Sequence, residues 1–153
     1  NVWHHGDFAK ITNNGGFVIF GRSDTTLNPG GVRLGTAEIY SVVEKFKEIQ
    51  ESIVIGQSWN NDIRIILFIV LNKGYNLTNE IKDKIKKEIR SKASPRHVPS
   101  KIIPILEIPK TKNGKLVELA VKQSVECETI KNLEALANPD SLKQFKNIKE
   151  LNE

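Results

Sequence analysis

Ser52-Ile53-Val54-Ile55-Gly56-Gln57-Ser58-Trp59, the polar Asn60-Asn61-Asp62, and Arg64-Ile65-Ile66-Leu67-Phe68-Ile69-Val70-Leu71 form the stretch that decides the fold. Both flanking runs are rich in β-branched and aromatic residues, and the polar tripeptide between them reads as a turn. An antiparallel strand pair is the natural reading. The second run is apolar at nearly every position, which predicts a central strand covered on both faces.

Upstream, Phe8-Ala9-Lys10-Ile11 and Phe17-Val18-Ile19-Phe20 flank Asn13-Asn14-Gly15-Gly16 and predict a β-hairpin. From Thr36 the period changes: Ile39, Val42, Val43 and Phe46 predict a helix over about 36–47, with Thr36 able to cap it. Downstream, Leu77-Thr78 opens a second helix with the stripe Ile81, Ile85 and Ile89, and Ser94-Pro95 ends it. Ile102 to Ile108 is a third strand, which Pro104 assigns to a sheet edge or bulge. After the turn at Asn113-Gly114, Val117, Ala120, Val121, Ser124 and Val125 mark a short helix. Ser141, Leu142, Phe145 and Ile148 suggest a last one, beyond Asn138-Pro139. The expected fold is α+β: a small three-stranded sheet flanked by helices and preceded by a β-hairpin.

The 153 residues, 39% of them hydrophobic, suffice for one ordinary core. No apolar run reaches membrane-spanning length. The single cysteine, Cys127, rules out an internal disulfide and a cysteine-based zinc site within these residues, and suggests simple packing in a reducing, cytoplasmic setting. A net charge of +5 suits an anionic partner. The richest basic segment, Lys82 to Lys92, has no aromatic residue and so lacks the usual signature of a nucleic-acid platform. Methionine is absent, the chain begins Asn1-Val2-Trp3, and Trp3-His4-His5-Gly6-Asp7 reads as the middle of a fold, so the chain is expected to be a fragment. The motifs of Ser hydrolases, dinucleotide-binding turns and nucleotide-binding P-loops are all missing.

Chemistry concentrates between Gly21 and Tyr40, where two arginines and several glycines lie between a strand signal and a helix signal. Guanidinium forks such as Arg22 and Arg33 bind phosphate oxygens bidentately, and glycine lets the backbone approach closely, although a surface salt bridge uses the same arginines. The carboxylate of Asp7 can accept both hydroxyls of a ribose diol, or simply sit in a turn. Asp24 tolerates unusual backbone angles and serves equally a structural turn or a pivot. In Pro109-Lys110-Thr111-Lys112-Asn113-Gly114-Lys115, a lysine after a glycine turn is presented on an exposed tip, as a catalytic cation or as part of a solvated basic hairpin. Lys86, Lys87 and Arg90 form a charged helix face, ordinarily solvated. Adjacent His4 and His5 point to opposite faces of a strand, His97 reads as structural, and no metal ligands are assigned.

These residues together resemble the adenylate-forming acyl-CoA synthetases. The resemblance rests on Gly6-Asp7, on Gly21-Arg22-Ser23-Asp24, on Leu27-Asn28-Pro29-Gly30-Gly31-Val32-Arg33, and on the lysine segment ending at Lys115. Leu27 to Arg33, Ser94-Pro95-Arg96-His97-Val98-Pro99, Leu116 to Lys122 and Ala135-Leu136-Ala137-Asn138-Pro139 are similar to the branch that activates acetoacetate. That likeness implies a ligase that joins acetoacetate to AMP from ATP, releasing pyrophosphate, and then passes the acyl group to coenzyme A. Related acetyl-CoA or other acyl-CoA synthetases remain the alternative, and a basic nucleotide- or nucleic-acid-binding module is the weaker one. By resemblance, Lys115 is the catalytic adenylation lysine, Asp7, Arg22 and Arg33 are nucleotide contacts, and Asp24 is the hinge. Gly31 is a contact to the pantetheine arm, and Lys86 is a further coenzyme A contact. The same likeness divides the chain into 1–23, the end of a large N-terminal adenylation domain, then a mobile domain over 24–130, and a helical tail over 131–153. It implies Mg2+ accompanying ATP in a full-length enzyme, that N-terminal domain as partner, and neither nucleic acid nor membrane. The isolated chain is expected to fold without catalysing.

Overall fold

The computed structural model describes residues 7–22, 25–130 and 132–153. Strands β1 (Asp7–Ile11) and β2 (Phe17–Arg22) form the antiparallel hairpin expected from the sequence, with a register shift between Phe8 and Ala9. A second sheet has the order β3 (Ile49–Trp59), β4 (Asp62–Leu71), β5 (Lys101–Pro104). β3 and β4 are antiparallel, whereas β4 and β5 run parallel through the crossover helix α2 (Asn79–Lys92). Helices α1 (Ala37–Val43) and α3 (Glu118–Val125) complete the regular elements, so the fold is α+β as expected.

The alternation along β4 explains its unbroken apolar run. Ile65, Leu67 and Ile69 pack with Ile39, Val42 and Val43 of α1 and with Ile85 and Ile89 of α2. On the opposite face, Ile66, Phe68 and Val70 pack with Val121 of α3 and with Leu136, Leu142, Phe145 and Leu151 of the tail. A strand with two covered faces needs apolar residues at both parities. β4 therefore lies at the centre of a layered core.

The boundaries differ from the sequence reading for local reasons. α1 stops at Val43 because Lys45 and Phe46 donate to Val42 and Val43, three residues back, which tightens the last turn while keeping Phe46 buried. Thr36 precedes the helix, but its side chain does not cap it; its backbone is already helical, at φ −83°, ψ −21°. Thr78 does cap α2, its side chain accepting from the N–H of Ile81. β5 ends at Pro104 on the sheet edge, although Ile105 still donates to Ile69 and Ile108 is buried beyond it.

The tail forms tight 3-10 segments instead of an α-helix, at Leu133–Ala135, Pro139–Phe145 and Lys149–Leu151. Leu142, Phe145, Ile148 and Leu151 recur every third residue, which suits a 3-10 period and not 3.6. Cys127 is exposed and not packed as expected, because it follows the end of α3 in a left-handed conformation, φ 56°, that turns the chain outward.

Candidate functional site

The glycine segment is a closed loop held at three points. Leu27 and Leu34 exchange backbone hydrogen bonds of 3.1 and 2.8 Å, and the Leu27 side chain is fully buried in the core. Between them, Pro29–Gly31 makes one 3-10 turn in which Gly30 and Gly31 have φ of 58° and 76°. Those angles belong to the left-handed region that glycine enters without a Cβ penalty. At the start of β4, Asp62 Oδ1 accepts the N–H of Gly30 at 2.8 Å and that of Ile63 at 2.7 Å. These two backbone donors hold the Asp62 carboxyl below its usual pKa. The clip leaves Gly31 exposed, with none of the described residues within 4 Å of where its Cβ would stand.

The lysine segment forms a short hairpin. Thr111 donates to the carbonyl of Lys115 at 2.9 Å, and its Oγ1 accepts the N–H of Lys115 at 3.1 Å. Gly114, at φ 75°, closes the turn onto the carbonyl of Thr111. The backbone of Lys115 is thus held on both sides while its side chain is exposed. Beyond it, Glu118 at the start of α3 lines a cavity of about 220 Å³ with Thr26 and Asn28 of the glycine loop.

Arg33 is exposed at the wall of a different cavity, of about 370 Å³, bounded by Ala9, Thr26, Glu38 and His97. His97 is only 8% exposed and its Nδ1 lies 2.8 Å from Ser94 Oγ. Its Nε2 and Oε2 of Glu38 are buried and have no hydrogen-bond partner among the described residues. Burial lowers the His97 pKa, and the Glu38 charge partly restores it. The sequence reading made His97 structural and gave no role to Glu38; only the folded chain sets them together beside Arg33.

Asp7 and Arg22 are register partners at the open end of the hairpin, which puts Asp7 in a strand and not in a turn. Lys86 is half-buried on α2, while Lys87 and Arg90 are exposed. Asp24 lies outside the described residues, as do His4 and His5. Gly31 lines a groove with Asn28 and the β3–β4 turn, so Gly31 and Arg33 face different cavities, and Lys115 lines neither. Among the described residues there is no group of three or more His, Cys, Asp and Glu placed to hold a metal ion.

Residues 38–115 match the family described as the AMP-binding enzyme C-terminal domain. The chain belongs to that family. The matched span of this AMP-binding enzyme C-terminal domain runs from α1 to Lys115, so it takes in the three-stranded sheet and the lysine hairpin. The chain is 57% identical over 151 residues to an acetoacetyl-coenzyme A synthetase of Rhizobium meliloti, covering 99% of this chain and 23% of the relative. It is 46% identical to an acetoacetyl-CoA synthetase of Caenorhabditis elegans, covering 94% of this chain and 21% of the relative. The solved acetoacetyl-CoA synthetase from Streptomyces lividans superposes with a TM-score of 0.86 at 38% identity, covering 99% of this chain and 23% of that one. The chain therefore spans less than a quarter of the length of these relatives.

Proposed function

We propose that the chain acts as the C-terminal, mobile part of an AMP-forming acid–thiol ligase whose acid is acetoacetate. The observation that carries this reading is Lys115: an exposed ammonium on a hairpin whose backbone is bound on both sides, at the end of the matched family span. The relatives' names supply the acid, and related acyl-CoA synthetases remain the competing assignment. A full-length protein with an N-terminal adenylation domain is part of the proposal. Ile11, Phe17 and Ile19 of the hairpin are 66%, 71% and 63% exposed, an apolar surface suited to being covered by that domain.

In the first half-reaction, a carboxylate oxygen of acetoacetate attacks the α-phosphorus of ATP. The bond to the bridging oxygen breaks, pyrophosphate leaves and the acyl-adenylate forms. Lys115 acts here as a compact positive charge on the carboxylate and α-phosphate as they meet. Asp7 takes the ribose hydroxyls, and Arg22 and Arg33 take phosphate oxygens. In the second half-reaction the thiol sulfur of coenzyme A attacks the acyl carbonyl, AMP leaves, and the thiol proton passes to solvent. Rotation about Asp24 withdraws Lys115 and brings the bare backbone at Gly31 against the pantetheine arm, with Lys86 available to a coenzyme A phosphate. Such an exchange satisfies the requirement that each state make its own ligand contacts. Domain limits of 1–23, 24–130 and 131–153 go with this motion. Mg2+ would travel with ATP, and no step is assigned to it on these residues. A cytoplasmic location also belongs to the reading.

The test is Lys115→Ala in the full-length protein, assayed with acetoacetate and with acetate. Adenylation, read as acid-dependent exchange of pyrophosphate into ATP, is expected to fall by about 100-fold or more. Thioester formation from supplied acetoacetyl-adenylate is expected to persist. Equal loss of both sinks the role of Lys115, and a preference for acetate sinks the assigned acid.

A further inference from the structure

The lysine hairpin has a second partner, supplied by the tail. Lys110 N donates to Asn138 Oδ1 at 2.9 Å, and the carbonyl of Lys110 accepts from Ala137 N at 2.9 Å. Two residues on, Lys112 N donates to the carbonyl of Ala135 at 3.1 Å, and between them Thr111 and Leu136 are antiparallel bridge partners. The amide of Asn138 also donates from Nδ2 to the carbonyl of Ile108 at 3.0 Å. Residues 135–138 therefore lie along 108–112 as a short antiparallel partner, and Asn138 stitches both ends of its side-chain amide to that backbone. On the other side, Lys110 Nζ pairs with Glu51 Oε1 on β3 at 2.5 Å.

The segment is fastened from behind as well. Leu136 is only 7% exposed within the cluster that includes Phe68, Leu142 and Phe145. The hairpin thus stands between its own return arm, joined through Lys110 and Leu116, and a tail segment rooted in the core. A lone two-stranded ribbon is marginally ordered in water, whereas a third partner holds it. An exposed lysine has to be delivered to within a fraction of an ångström of the reacting atoms, and a displacement of about 1 Å costs about 100-fold in rate. The tail is the part of the chain placed to prevent that displacement.

Resting on the assignment of Lys115 to adenylation, we propose that residues 135–138, with Asn138 as their principal contact, position Lys115 and so control the adenylation step selectively. Asn138 is a positioning residue in this scheme. It acts through the backbone of Lys110 and touches no reactant. The thioester-forming arrangement does not use Lys115, so loosening the hairpin leaves that step intact.

The experiment compares full-length wild type, Asn138→Ala, Asn138→Asp and Lys115→Ala in both half-reactions, expressed as the ratio of adenylation to thioester formation from supplied acetoacetyl-adenylate. A smaller folded fraction cancels in that ratio. Asn138→Ala is expected to lower the ratio about tenfold. Asn138→Asp, which keeps an oxygen for Lys110 N, is expected to recover part of it. A normal ratio in Asn138→Ala overturns the proposal when Lys115→Ala still abolishes adenylation. Adenylation that survives Lys115→Ala overturns it together with the role of Lys115.

Discussion

The hydroxyl of Tyr40 on α1 donates to Glu118 Oε1 at 3.1 Å and accepts the backbone N–H of Val54 on β3 at 3.1 Å. One phenol therefore joins the helix that follows the glycine loop, the outer strand of the sheet and the helix that follows Lys115. Burial, then the Glu118 charge, raises the Tyr40 pKa well above its usual value, so the phenol stays a neutral donor. A raised value makes this contribution complete below the unfolded pKa of about 10 and lost only as the solution becomes more alkaline.

Tyr40→Phe leaves the ring in place but removes both hydrogen bonds, leaving the Val54 N–H and a Glu118 oxygen without their partner. Urea unfolding of the purified chain is expected to show a loss of about 1–2 kcal/mol with an unchanged dependence on denaturant. An unchanged midpoint would falsify the bridging role.

Phe145 anchors the tail. Its ring is fully buried and meets Phe68 edge-on, with centroids 4.9 Å apart and planes at 87°. Phe145→Ala is expected to cost about 3–5 kcal/mol in denaturant unfolding, because an aromatic cavity opens against the central strand. Hydrogen exchange should rise at Lys112 and Ala137, whose N–H groups bond across the tail–hairpin seam. Protection that persists at both amides would show that the tail is held by something else.

Asp62 and Gly31 separate loop stability from ligand access. Asp62→Ala removes the clip on Gly30 and is expected to raise exchange at the Gly30 and Ile63 amides with little change in global stability. Gly31→Ala meets none of the described residues but keeps a positive φ, so strain of about 1–2 kcal/mol is expected. In the full-length protein, Gly31→Ala should slow thioester formation more than adenylation if the pantetheine arm passes over it. Slowing the two half-reactions equally would exclude that contact.

His97 makes stability depend on pH. Its folded pKa lies below the unfolded value of about 6.5, so the unfolded chain binds more protons in that window. The contribution is fully present above the unfolded value and is lost as pH falls toward the folded one. Urea midpoints measured at about pH 7.5 and about pH 5.5 should drop on acidification, and His97→Gln should flatten the difference. An identical pH slope in the variant would assign the titration to other groups.

Where one side chain could be read against its neighbours along the chain, the sequence was sufficient. The double apolar parity of β4, the Ile81/Ile85/Ile89 stripe of α2, the edge position of Pro104 and the glycine turn before Lys115 all follow from local periodicity and backbone chemistry. So does the family, since its residues stand in short contiguous motifs. The early end of α1 and the exposure of Cys127 were not legible, because both depend on how the chain leaves a helix. Only the tertiary structure placed Asp62 on Gly30, Glu38 beside His97, and the tail along Lys110. Each of those contacts joins groups that lie far apart in sequence, and such groups meet only where packing of the core brings them together. The sequence determined the family and the periodic elements; the packed sheet decided which distant residues are held against one another.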